Sequence, residues 1–98
     1  MIRVKFSLIP QFFLEVRGHA YYNDPGKDIV CSAVSAIVVG GINALENNEN
    51  MNIEIAQGLI RVKSETTLSD NDQIVFQTII TQLETVIAEY PKFVTIVK

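Results

Sequence analysis

The chain has one cysteine, one histidine and no tryptophan among its 98 residues. A lone cysteine excludes an internal disulfide. One thiol and one imidazole are too few for the Cys- and His-rich sites that hold structural zinc, so neither a metal nor another cofactor is expected. No Gly-rich loop of the phosphate-cradling kind occurs. No apolar run approaches the ~20 residues that span a bilayer, which argues against a membrane partner. The start, Met1 to Phe6, alternates apolar and basic side chains and lacks the apolar block of a signal peptide; a cytoplasmic location is the expectation. Basic residues number eight against eleven acidic ones, for a net charge of -3. They are scattered along the sequence, whereas a nucleic-acid partner calls for clustered Lys and Arg, so no direct nucleic-acid contact is expected.

What the chain does have is the composition of a soluble globular protein, 48% apolar and 19% charged. Its length suits one domain, residues 1–98. A chain of this size buries roughly 60–70% of its unfolded surface, a thin core that often gains from pairing with a second copy. Residues 2–8 alternate, with Ile2, Val4, Phe6 and Leu8 on one side and Arg3, Lys5 and Ser7 on the other. Residues 12–18 alternate again, and the short gap at Pro10 predicts a hairpin. Residues 18–28 carry the Gly, Asn, Asp and Pro of a loop. Asp28 then stands where a helix N-cap would stand. Val30, Val34, Ile37, Val38, Gly41, Ile42 and Leu45 follow at helical spacing. Gly40 and Gly41 inside that stripe imply either a close backbone neighbour or a bend.

Residues 43–52 read as a solvated helix end and loop. Ile53 and Ile55, then Ile60 and Val62, flank Gln57-Gly58 as a second hairpin. Ser69 or Asp70 caps a second amphipathic helix running from Ile74 to Tyr90, and Pro91 ends it. Phe93 to Val97 predicts a last strand. The order β-β-α-β-β-α-β indicates an α+β two-layer sandwich, a mainly antiparallel sheet with two helices.

With Asp28 as N-cap, Cys31 is the third helical residue. Free N–H groups and the positive end of the helix dipole favour a thiolate there, the reactive form; the Asp28 carboxylate opposes it. His19 follows Gly18 at the end of the second strand, and an intervening loop can return it to the helix start as a general base. Strict alternation, however, turns His19 away from the apolar face unless Gly18 breaks the strand. On residue chemistry alone, Cys31 serves equally as a small core residue and His19 as a surface one.

Gly18-His19-Ala20, followed by Gly26-Lys27-Asp28-Ile29-Val30-Cys31-Ser32-Ala33-Val34-Ser35, closely resembles the ribosomal-processing cysteine protease family, Prp. The resemblance covers the whole chain. It implies that Cys31 is the nucleophile and His19 the general base, with Gly18, Asp28 and Ser35 at the family's other motif positions. Ser32 departs from the pattern, where a second alanine is usual. The resemblance also implies a substrate: the N-terminal extension of protein twenty-seven of the large ribosomal subunit, cut after a Phe-Phe pair. It further implies a homodimer, and a loop between His and Cys, here Ala20 to Lys27, that orders over peptide. Tyr21 and Tyr22 on that loop are candidate substrate-binding residues, and equally candidate packing residues. Ser35, one turn after Cys31, is expected to bond a helix carbonyl or to polarise the site. No acid is clearly placed to orient His19, which predicts a dyad. The rival reading is a non-catalytic α+β module that binds a ribosomal protein or assembly factor.

Overall fold

The alternation expected of the first two segments is present as a hairpin. In a computed structural model, which describes residues 1–24 and 26–97, β1 (Ile2–Ser7) pairs antiparallel with β2 (Phe13–Arg17). Val4, Phe12 and Leu14 are fully buried, while Arg3, Lys5 and Arg17 on the other face are exposed. Helix α1 (Ile29–Ala44) follows, then a 3-10 turn at Asn48–Asn50. The second hairpin joins β3 (Asn52–Ala56) to β4 (Leu59–Lys63) through Gln57-Gly58. Helix α2 (Asp70–Glu89) and β5 (Val94–Ile96) complete the order β-β-α-β-β-α-β.

Among the described residues the sheet has five strands in the order β3-β4-β2-β1-β5. The three pairings β1-β2, β2-β4 and β3-β4 are antiparallel, and β5 alone runs parallel to its neighbour β1. Parallel neighbours need a long crossover connection; α2 carries the chain back to the far edge, where β5 lies beside β1. Each helix turns one apolar stripe inward, Val30, Val34, Val38 and Ile42 from α1 and Phe76, Ile79 and Leu83 from α2. These side chains share one buried cluster with the inward residues of the sheet.

The glycine pair resolves into two different positions. Gly41 faces Ile79 of α2, whose side chain fills the space a Cβ would take, whereas a Cβ on Gly40 would meet nothing. The close neighbour is therefore a side chain rather than a backbone, and α1 runs unbroken through both glycines. Ser69, of the two candidate caps, accepts a hydrogen bond from Asp72 N at 3.2 Å. The Asn/Glu-rich connection after α1 is largely exposed, as its composition implies, but its backbone is tied to the start of α2. Asp72 is fully buried and accepts from Glu46 N at 2.8 Å and Asn47 N at 3.4 Å.

The outer face of the sheet is uncovered by helices and charged. Register places Arg3, Lys5, Arg17, Arg61 and Lys63 together there with Glu15 and Glu54. Basic residues that are dispersed in the sequence are thus gathered in space. Arg61 bonds Glu54 at 2.6 Å, and Arg17 approaches Glu15 at 3.3 Å. The Arg17 hydrogen bond, opposed by partial burial, holds the Glu15 carboxyl below its ordinary range. Among the described residues, no helix is long and apolar enough to cross a membrane.

Candidate active site

The loop after β2 and the start of α1 are tied together by one carboxylate. Asp28 Oδ1 accepts from Val30 N and Cys31 N, both at 3.0 Å, two of the four amides that a helix start leaves unpaired. Asp28 Oδ2 accepts from Tyr22 N at 3.0 Å and Asn23 N at 3.4 Å. The residue is only 7% exposed. Burial pushes its carboxyl up, but the amides of Cys31, Tyr22 and Asn23 outweigh that and hold it below the ordinary aspartate value. Asp28 is therefore the N-cap the sequence predicts and also a tether for the loop. A further turn forms where Lys27 N donates to Asp24 O at 2.9 Å. Pro25, inside the loop expected to order over peptide, lies outside the described residues.

Cys31 is the third residue of α1 and is partly exposed. Its Sγ accepts from Ala20 N at 3.4 Å. That contact brings the residue beside His19 onto the nucleophile candidate.

The difficulty with His19 is resolved at Gly18. Strand β2 ends at Arg17, and Gly18 adopts φ +106°, outside the range that other residues readily take. Its N–H donates to Gly58 O at 2.9 Å, and a Cβ there would collide with the Met1 carbonyl oxygen. The alternation of β2 is broken just before His19. His19 and Cys31 then line one open cleft of about 580 Å³. No hydrogen bond joins them. Among the described residues, no carboxylate hydrogen-bonds His19.

Ser35 also lines the cleft, and so does Ser32. The Ser35 hydroxyl makes no bond to a helix carbonyl, unlike Thr78 and Thr85 on α2, which bond Ile74 O and Thr81 O. The two loop tyrosines part company. Tyr21, at φ +56° and 77% exposed, lies at the cleft with its ring 5.7 Å from the imidazole. Tyr22 points elsewhere, packing edge-on against Tyr90 and Phe93 with centroids 5.4 and 5.3 Å apart. The rest of the cleft is mainly apolar, with Val34 and Val39 from α1 and Ile55 and Ile60 from the second hairpin, and with Asn23 and Gln57 as polar members. That hairpin is the part of the site that sequence reasoning missed. Gln57-Gly58 announces a turn, and nothing local announces that the turn abuts His19. Among the described residues, no group of three or more His, Cys, Asp or Glu could hold a metal ion.

The family model described as Cysteine protease Prp matches residues 1–95. The ribosomal processing cysteine protease Prp of Mycoplasma genitalium is 33% identical, over 98% of this chain and 94% of its own. That of Staphylococcus aureus is 32% identical, over 74% of this chain and 73% of its own. Among solved structures, the essential ribosomal processing protease Prp from S. aureus, in complex with a covalently linked product peptide, superposes with a TM-score of 0.84. It is 27% identical and covers 98% of this chain and 97% of that one. An apolar cleft holding a helix-start thiol and an imidazole, on a sheet shared with these proteases, makes the chain a cysteine protease of the Prp family.

Proposed function

We propose that this protease removes the N-terminal extension of protein twenty-seven of the large ribosomal subunit, cutting after a Phe-Phe pair, with Cys31 as nucleophile and His19 as general base. The observation that carries the reading is the convergence of Cys31 and His19 on one apolar cleft. His19 takes the thiol proton as Sγ attacks the scissile carbonyl carbon. The tetrahedral intermediate collapses to a thioester, and His19 returns the proton to the leaving amine. Water, deprotonated by His19, then attacks the thioester, releasing the carboxylate product and the thiol. The walls at Val34, Val39, Ile55 and Ile60 suit an aromatic side chain next to the cut, with Tyr21 at the mouth. Relatives named as ribosomal processing proteases support the substrate class. The proposal includes a homodimer acting in the cytoplasm, where a single thiol stays reduced.

The test is incubation with a peptide spanning such an extension. Cleavage after the Phe-Phe pair is expected, abolished by Cys31→Ala and slowed about 10²–10⁴-fold by His19→Ala. No cleavage, or cleavage undiminished in Cys31→Ala, refutes the reading.

A further inference from the structure

The imidazole of His19 rests on the turn between β3 and β4. A Cβ placed on Gly58 would stand 2.7 Å from His19 Nε2, 3.2 Å from Cε1 and 3.4 Å from Cδ2. The tip of the ring thus occupies the volume that any other residue at position 58 would need. Gly58 is also bound to the residue before His19, because its carbonyl accepts from Gly18 N at 2.9 Å. The residue before the imidazole and the residue beneath it form one unit. Tyr21 bounds the ring on another side, tilted at 52°. Among the described residues, no hydrogen bond reaches the His19 ring, so its place is set by shape rather than by a bonded partner.

We infer that Gly58 is a positioning residue for His19: its bare Cα is the seat that holds the imidazole in the Cys31 cleft, and a side chain there displaces the ring. The catalytic consequence rests on His19 being the general base; the seat itself does not. Ordinary contact between heavy atoms is about 3.5–4.0 Å. A Cβ at 2.7 Å therefore moves the ring by roughly 1 Å, a displacement that costs on the order of 10²-fold in rate when it falls on a reacting group. The backbone offers a second reason for glycine, since φ is +73° at this position. The two reasons separate by substitution. Asparagine tolerates a left-handed backbone yet carries a Cβ, so Gly58→Asn retains the clash and relieves most of the strain.

A single histidine makes the seat directly observable, because the full chain has one imidazole signal. In the wild-type protein a nuclear Overhauser contact between the His19 Cε1 proton and the Gly58 Cα protons is expected. Both Gly58→Ala and Gly58→Asn are expected to shift the His19 ring resonance. Each should lower kcat on the extension peptide about 10²-fold and change KM far less. Absence of the contact in folded wild type overturns the inference. So does a Gly58→Asn protein with wild-type resonance and kcat, which would assign the effect of alanine to backbone strain. Should Gly58→Ala fail to fold, the wild-type contact and the asparagine variant decide. His19→Ala separates the two levels: full activity in that variant removes the general-base reading, while the ring resonance still judges the seat.

Discussion

Replacing Asp28 by asparagine separates the two jobs of that side chain. Asparagine caps helices about as well as aspartate, so one carbonyl oxygen continues to accept from Val30 N and Cys31 N. The other position becomes an NH2 group facing Tyr22 N and Asn23 N, which now donate to Oδ2 at 3.0 and 3.4 Å. Two partly buried amides lose an ionised acceptor and meet a donor instead. At about 1 kcal/mol or more for each such loss, the variant is about 2 kcal/mol less stable. For a domain of this length that is a fall in Tm of roughly 8–16 °C. Asp28→Ala removes the cap as well and falls further. The pH dependence has a definite sign. The folded-state carboxyl of Asp28 lies below its ordinary value of 3.8, so its stabilisation is complete above that value and fades as pH falls through the folded one. Thermal unfolding followed by circular dichroism at pH 7 and in acid checks both parts. The gap between wild type and Asp28→Asn should be wide at pH 7 and narrow on acidification. A gap under about 3 °C at pH 7, or one independent of pH, refutes the tether.

Other substitutions test the packing around the site. Gly40→Ala, with open space at the Cβ, should stabilise by about 0.5–1 kcal/mol, whereas Gly41→Ala drives into Ile79 and should lower Tm. Asp72→Ala leaves the amides of Glu46 and Asn47 without their acceptor and should cost about 2–4 kcal/mol, read by urea unfolding. Tyr22→Ala strips the edge contacts with Tyr90 and Phe93 and should lower Tm; Tyr21→Ala should leave Tm nearly unchanged and raise KM for the extension peptide.

Much of this structure is local, and the local part was readable. Alternation marked β1, β2 and β4 because one face of a half-buried sheet must be apolar; β3 was marked by Ile53 and Ile55 beside the Gln57-Gly58 turn, although both stay exposed. The spacing from Val30 to Leu45 marked α1 because a helix presents one stripe to the core. Asp28, and the pair Ser69 and Asp70, marked helix starts because a few residues decide where orphan amides find acceptors. The motif around His19 and Cys31 carried the family, and with it the chemistry. Tertiary structure alone decided what those pieces meet. Asp28 reads as a cap, but its bonds to the loop amides depend on how the loop returns. Tyr21 and Tyr22 are adjacent and chemically alike, and only the packing of Tyr90 and Phe93 separates them. Five of the eight basic residues, dispersed in sequence, share the outer sheet face because register brings β1, β2 and β4 side by side. Gly58 lies far along the chain from His19, and no pattern of periodicity or capping links them. Periodicity and caps are energies of neighbouring residues, whereas the seat of the imidazole is a contact that exists only once β2 and β4 have paired.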